Sequence, residues 1–318
     1  KPVLAVDLGG TKIRSAIVSL EGKTVATDDR PTQAHRGLAH VVNRLFDSID
    51  LVLLKGNMRA DEFSGIGVAI AGVLDSKNGI LTSSPNLPHW KNVPLKKILQ
   101  DRLDLDTFLI NDANAAALGE HRFGAGIGTQ YLVYLTVSTG IGGGIIIDGK
   151  LYEGSTGSAG ELGHMTIDAN GPQCNCGNYG CLEVLASGTA VAREAVERIN
   201  MGESSILKDM KENVSDITAE DVARAARQGD KLAVEIIAGA SYYLGIGLAN
   251  IVNIFNPQVI VIGGGMSRMG GMLLEPAKRI VKQRAFKLPA RTARIVRARL
   301  GNNSGIIGAA ANVFNQFR

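Results

Sequence analysis

The sequence predicts an α/β protein of two related lobes with mixed sheets. Three observations carry that prediction. Short apolar runs alternate along the chain with stretches of helical period. A unit of strand, Gly/Thr turn, strand and charged hairpin at residues 3–23 is repeated at residues 132–149, and self-similarity of this kind marks a duplicated structural unit. Glycine is in excess, 39 of 318 residues against an average share of roughly 7%. Many of these glycines stand directly behind an apolar run, where a backbone turns sharply or comes close to a ligand.

The elements follow in order. Val3–Val6 is a short apolar strand that runs into Asp7-Leu8-Gly9-Gly10-Thr11-Lys12; Ile13–Leu20 resumes as a strand, and Glu21-Gly22-Lys23 turns it. Leu38, Val41, Val42, Leu45, Phe46, Ile49, Val52 and Leu53 fall at helical spacing. Gly65–Ile70 reads as a buried strand, Asp75–Gly79 as a hairpin turn, and Thr107–Ile110 as a strand closed by Asn111-Asp112. Ala113–Phe123 is an alanine-rich helix stopped by Gly124. The second copy of the unit comprises Leu132–Val137, the turn Ser138-Thr139-Gly140-Ile141-Gly142-Gly143-Gly144, the strand Ile145–Ile147 and the turn Asp148-Gly149.

Helices are expected over Thr189–Ile199 behind a Ser187 cap, and over Ala219–Arg227 behind Thr218 with Asp221 three residues on. A long helix over Lys231–Phe255 stops at Asn256-Pro257. Val259–Ile262 is a buried strand followed at once by Gly263-Gly264-Gly265, and Ser304–Phe314 is a final helix. No Pro- or Ser-rich linker separates the halves, so the lobes are expected to pack with a cleft between them. The first lobe takes residues 1–115 with 303–318 returning to it, and the second takes 116–302.

Composition excludes several classes. A hydrophobic share of 45% with 20% charge is that of an ordinary globular enzyme. A net charge of +4 does not by itself require nucleic acid or a membrane. Arg291, Arg294, Arg297 and Arg299 alternate with Ile295, Val296 and Leu300 without aromatic residues, which fits a strand with a solvated face better than a nucleic-acid surface. The first residues hold no apolar run of signal length, and the apolar stretch Tyr242–Phe255 reads as too short to span a bilayer. Free thiols without an export signal point to the cytoplasm.

The cysteines carry the sharpest local signal. All three fall in His164-x9-Cys174-x-Cys176-x4-Cys181, and three thiolates with one imidazole complete a tetrahedral zinc set. An odd number of cysteines makes a disulfide framework a poor reading; the competing reading is three unrelated small core residues. With four protein ligands the site is coordinatively closed, so it is not expected to activate water. Its expected task is to pin the segment Glu161–Glu183, presenting Glu161, Glu183 and His164 itself to a polyhydroxylated ligand. His35, His40, His89 and His121 lack metal-like partners.

Three glycine turns follow three apolar strands: Gly9-Gly10, Gly140–Gly144 and Gly263–Gly265. Such turns expose backbone N–H groups to anions, and none fits a Walker A loop or a clear dinucleotide fingerprint. Thr11 and Thr139 in the duplicated frame can grip phosphates, Lys12 adds positive charge, and Asp7 can hold Mg²⁺ through water. Asp112 is the candidate base for phosphoryl transfer, with the N-cap of the alanine-rich helix as its competing role. Asn86, on the rigid turn Ser84-Pro85-Asn86-Leu87-Pro88, can add an amide.

Taken in order, Asp7–Lys12, Asn111-Asp112, Ser138–Gly144, Glu161-Leu162-Gly163-His164 and Cys174-Asn175-Cys176-Gly177-Asn178-Tyr179-Gly180-Cys181-Leu182-Glu183 resemble the ROK family of sugar kinases and repressors over essentially the full length. Within the family the resemblance is to bacterial ATP-dependent glucokinases. It implies an actin-like (ribonuclease H-like) ATPase fold of two lobes with an interlobe cleft, and transfer of the ATP γ-phosphoryl group to the 6-hydroxyl of a hexose, foremost glucose. By the same resemblance Asp112 is the base, Gly72, Asn86, Asn111, Glu161, His164 and Glu183 join it at the sugar, and His164, Cys174, Cys176 and Cys181 bind structural Zn²⁺. Asp7, Gly9, Gly10, Thr11, Lys12, Thr139, Gly140, Gly264 and Gly265 are the expected contacts of ATP and Mg²⁺. Alternatives are kinases of N-acetylmannosamine, N-acetylglucosamine, mannose or fructose, or a non-catalytic sugar-sensing relative. The Asp-x-Gly-Gly turn begins at residue 7, so no DNA-binding segment is expected ahead of it. The expected partners are the hexose and ATP, with no nucleic acid and no membrane, in a homo-oligomer, dimer or tetramer.

Overall fold

The computed structural model describes residues 1–317. The chain opens with the strands β1 (Val3–Leu8), β2 (Lys12–Val18) and β3 (Thr24–Pro31), then the helix α1 (Leu38–Gly56). Strands β4 (Ile66–Ile70), β5 (Val73–Asp75), β6 (Ile80–Ser83) and β7 (Lys91–Val93) follow, then α2 (Leu95–Leu103), β8 (Thr107–Asn111) and α3 (Asp112–Phe123). The second copy of the unit supplies β9 (Leu132–Val137), β10 (Ile141–Ile147) and β11 (Lys150–Leu151). After a long irregular segment come α4 (Leu182–Ala186), α5 (Gly188–Asn200), α6 (Ala219–Arg227) and α7 (Lys231–Phe255). The chain ends with β12 (Val259–Gly263), α8 (Gly271–Arg284), α9 (Lys287–Thr292), β13 (Arg294–Arg297) and α10 (Ser304–Gln316).

The duplication read from the sequence is visible in the strand order. The first sheet runs β3-β2-β1-β4-β8 and the second runs β11-β10-β9-β12-β13, position for position the same arrangement. In the first, β1 pairs antiparallel with β2 and parallel with β4, and β4 parallel with β8. In the second, β12 runs parallel to both β9 and β13. Strands β5, β6 and β7 form a separate three-stranded sheet inserted between β4 and α2. Both sheets mix parallel and antiparallel pairs, as the alternation of strand and helix predicted.

The chain divides into two compact units. The first comprises Lys1–Gln130, Gly144–Gly160 and the chain from Ala298 on; the second comprises Tyr131–Gly143 and Glu161–Arg297. A boundary between residues 115 and 116 falls inside α3, whose whole length belongs with the first unit because it packs on α10.

In the first unit, β4 is buried along its whole length, as a strand covered on both faces must be. Helix α1 lies on β2 and β3 and buries Val41, Leu45, Ile49 and Val52, one apolar stripe at helical spacing. Helix α10 lies on β1, β4 and α3. The contact is backbone against backbone: a Cβ on Gly308 would collide with the Ala115 carbonyl, and a Cβ on Gly67 with that of Ala309. In the second unit α7 packs against α4, α5, α6 and α8. At 25 residues it is long and apolar enough to cross a bilayer by length and composition, which corrects the estimate made on Tyr242–Phe255 alone; the apolar face already begins at Leu232. Its most apolar window is 61% buried, the character of a core helix. Only Arg294–Arg297 of the basic stretch forms a strand; Arg291 lies in α9.

Replacing Gly308 by Ala should destabilise the protein by about 1–3 kcal/mol, because overpacking at a rigid backbone contact cannot relax. Urea denaturation checks this, and an unchanged midpoint would show that α3 and α10 are not in backbone contact.

Candidate active site

In the first unit β1 ends at a tight turn. The Gly9 N–H donates to the Lys12 carbonyl at 3.0 Å, the Thr32 hydroxyl donates to the Gly9 carbonyl at 2.6 Å, and the Thr32 N–H donates to the Thr11 carbonyl at 2.9 Å. Thr32 thus holds the turn that carries Gly9, Gly10 and Thr11. Lys12 is exposed, and its ammonium lies 3.6 Å from Asp29. Gly10 lies so close to Asn86 that a Cβ would strike the Asn86 carbonyl oxygen. The turn and Asn86, predicted separately, are therefore neighbours.

Asp7, at the end of β1, is half-buried against the first turn of α10; a Cβ on Gly305 would stand 2.5 Å from its Oδ2. Burial first, then the nearby Asp112 charge, push the Asp7 carboxyl from its ordinary 3.8 up to about 6; Arg14 opposes this and Asp29 adds to it. Arg14 is fixed by Asp29 at 2.5 Å and by the Asn302 carbonyl at 2.7 Å. The charges of Asp7 and Asp112 thus disfavour one another.

Asn111 and Asp112 stand where β8 meets α3. The cap of α3 is Asn111, not Asp112: Asn111 Oδ1 accepts from the N–H groups of Ala113 at 2.9 Å and Asn114 at 3.3 Å. Asp112 is the first helical residue, where the helix end favours a negative charge. Asn111 Nδ2 lies 3.4 Å from the Gly72 carbonyl, which brings Gly72 beside the junction of β8 and α3.

In the second unit the turn after β9 borders a cavity of about 590 Å³ lined by Ser138, Thr139, Thr189, Glu220, Arg227 and Met266, among others. The Ser138 carbonyl accepts from the Gly188 N–H at 2.7 Å, and the Thr139 carbonyl from the Thr189 hydroxyl at 2.8 Å. Gly265 also lines this cavity, and Gly264 beside it lies on the Val137 backbone with φ near +79°, a left-handed conformation that favours glycine. Thr218, Glu220, Arg227 and Met266 were not read as functional. No motif marks them, because residues on α6 and behind β12 reach the cavity only through the fold.

His164, Cys174, Cys176 and Cys181 come together, their ligand atoms all within 4.8 Å of one another. Cys176 Sγ is 3.7 Å from Cys181 Sγ, and Cys174 Sγ is 3.8 Å from His164 Nδ1. A tetrahedral zinc with Zn–S bonds of about 2.3 Å has ligand edges of about 3.8 Å, so the set fits that ion. The loop is shaped for it: Gly180 (φ near +60°) lies on the Asp168 carbonyl where no side chain has room, and the Cys174 N–H donates to the Asn178 carbonyl at 2.7 Å. Burial pushes the Cys181 thiol up to about 12, so a metal must displace its proton. His164 turns Nδ1 to the cluster and Nε2 toward Glu161, 3.9 Å away. Glu161 is exposed, whereas Glu183 Oε2 accepts the Ile141 N–H at 2.8 Å.

A profile of the ROK family matches residues 3–316. The chain is 39% identical to a glucokinase of Thermotoga maritima, covering 97% of this chain and 96% of that one. It is 33% identical to a xylose repressor of Caldicellulosiruptor bescii, covering 98% of this chain and 78% of the repressor. The crystal structure of a ROK family glucokinase from Streptomyces griseus, in complex with glucose and AMPPNP, superposes with a TM-score of 0.85 at 33% identity, covering 99% of this chain and all of that one.

The Asp7 environment gives a pH test. Its carboxyl titrates near 6 in the fold against an ordinary 3.8, so the stability contributed by the neutral form is complete below about pH 4 and is lost as pH rises through 6. Asp7→Asn should therefore be more stable than wild type near pH 8, by on the order of 1–3 kcal/mol, with the gap closing near pH 4. Parallel denaturation curves at the two pH values measure it; a gap independent of pH would refute the assignment.

Proposed function

The chain belongs to the ROK family, and we propose that it is an ATP-dependent hexose kinase converting glucose to glucose 6-phosphate. The observation that carries this reading is the start of α3, where Asn111 caps the helix and lies 3.4 Å from the Gly72 carbonyl, and Asp112 follows as the first helical residue with Oδ1 accepting the Ala113 N–H at 2.9 Å. The glucokinase relatives support glucose as the acceptor and ATP as the donor.

In the reaction the 6-hydroxyl oxygen of glucose attacks the γ-phosphorus. The new O–P bond forms as the bond from γ-phosphorus to the bridging oxygen breaks, and ADP leaves with that electron pair. Asp112 takes the hydroxyl proton. Gly72, Asn86, Asn111, Glu161, His164 and Glu183 hold the sugar in this reading, with Asn111 steadied by its own bonds to α3. The nucleoside of ATP is assigned to the cavity beside Thr139, Gly264 and Gly265, whose size suits such a ligand. Gly9, Gly10, Thr11, Lys12 and Gly140 face its phosphates.

Mg²⁺ bound with the nucleotide supplies neutralisation of phosphate charge. Asp7 is the residue that would hold it, through water, as the carboxylate that ends β1 beside the glycine turn. Zn²⁺ at His164, Cys174, Cys176 and Cys181 would take no part in the chemical step, its four protein ligands leaving no open position. The free thiols suit the cytoplasm, and a homo-oligomer remains part of the reading on the family resemblance.

Asp112→Asn should lower kcat by about 10²–10⁴-fold while glucose and ADP still bind. A coupled assay over glucose, mannose, fructose, N-acetylglucosamine and N-acetylmannosamine, with calorimetry of both ligands, checks this. Near-normal kcat would remove Asp112 as the base, and selective turnover of an N-acetyl sugar would remove glucose as the substrate.

A further inference from the structure

The zinc-binding segment grips the glycine turn of its own unit at three places. Gly163, next to His164, lies on the Ile141 carbonyl so closely that a Cβ would collide with it. Glu183, two residues after Cys181, accepts the N–H of the same Ile141 at 2.8 Å. Its Oε2 is also where a Cβ on Gly140 would fall, 2.3 Å away being too near for any side chain. The peptide groups flanking Ile141 are thus held from both ends of the segment that the metal ligands close. The third hold is the start of α5, which Ser187 caps directly after α4: the Gly188 N–H donates to the Ser138 carbonyl at 2.7 Å and the Thr189 hydroxyl to the Thr139 carbonyl at 2.8 Å. Ser138, Thr139, Gly188 and Thr189 all line the cavity.

A sugar-binding role alone does not require this arrangement. One carboxylate oxygen of Glu183 is committed to the turn, which leaves the other for a ligand. The turn from Ser138 to Gly140 has no side chain larger than threonine, so its shape is set by what holds its backbone. Between Cys174 and Cys181 the loop is largely exposed, and little apolar burial fixes it in the absence of a cation.

We propose that Glu183 is a positioning residue that couples the zinc-binding segment to the glycine turn, so that cation occupancy at His164, Cys174, Cys176 and Cys181 sets the affinity for nucleotide. The coupling rests on the kinase reading for the identity of the cavity's ligand. It assigns to the closed metal site an influence on ATP as well as on sugar.

The test is ADP binding by calorimetry in the absence of sugar, so that any sugar contact of Glu183 does not enter. Zinc content is followed by atomic emission and folding by circular dichroism. Wild type stripped of zinc should bind ADP on the order of tenfold more weakly and recover on zinc addition. Glu183→Ala with zinc in place should show a comparable loss and should change little on stripping, and Glu183→Gln, which keeps an acceptor, should fall between. Two results overturn the coupling: zinc-loaded Glu183→Ala that binds ADP like wild type, or a variant as sensitive to stripping as wild type. The first needs no stripped protein. If zinc-loaded wild type binds no ADP and turns over no ATP, the kinase reading falls and the coupling falls with it.

Discussion

Backbone contact between α10 and α3 is the constraint on which the first unit's site depends. Two helices approach this closely only where small residues face each other, and here glycine and alanine do so along the contact. The approach puts Gly305 under the Asp7 carboxylate and fixes the height at which α3 begins, hence where Asp112 stands. It also brings Asn302 and Asn303 to Arg14, whose charge tempers the repulsion between the two acids. The buried carboxylate of Glu120 locks the far end: it accepts from the N–H groups of Ala125, Arg299 and Leu300 at 2.7–2.8 Å. A buried acid with three such bonds is well satisfied, and it ties the loop after α3 to the segment leading into α10.

The second unit brings together a candidate metal set, His164, Cys174, Cys176 and Cys181. A loop of Gln173–Gly180 buries little apolar surface, so hydrophobic packing cannot fix it. Four ligand atoms at tetrahedral spacing can. Four protein ligands closed around a cation would leave no open position for chemistry. What such a set would provide is position, passed on through Gly163 and Glu183 to a turn that has no bulky side chain of its own.

Much of this was legible in the sequence because the signals were local. The strand-turn-strand repeat at 3–23 and 132–149 predicted two related lobes, and the two five-stranded sheets have the same strand order. The Thr218/Asp221 pair and Ser187 cap their helices as their spacing requires. The cysteine spacing predicted a cluster, and the side chains meet. What was not legible is long-range. That α3 belongs wholly with the first unit is decided by α10, nearly 200 residues away in sequence by the Arg122–Asn315 contact. The capping role went to Asn111 because its side chain can accept from two amides while Asp112 already has helical geometry, a choice that adjacent Asn and Asp do not reveal. Strand β7, with three residues, is too short for a periodic signal. For Glu183 the sequence indicated only a sugar ligand, since nothing in its neighbours announces the Ile141 N–H.

The duplicated frame has been divided chemically. Counted from the start of each first strand, Thr136 occupies the place in β9 that Asp7 holds in β1. The first turn keeps Asp7, Lys12 and, on β2, Arg14; the second, from Ser138 to Gly144, carries no charged side chain. A turn rich in charge can hold a cation and meet phosphate by Coulomb attraction, at the cost of a carboxyl that resists ionising. A neutral turn can meet phosphate only through oriented N–H dipoles, so its geometry must be exact to within a hydrogen bond, and one of its amides is already taken by Glu183. That asymmetry gives a reason for the segment with the four candidate metal ligands to accompany the neutral copy: the copy with charges tolerates small displacement, because Coulomb attraction falls slowly with distance, whereas the copy without them does not.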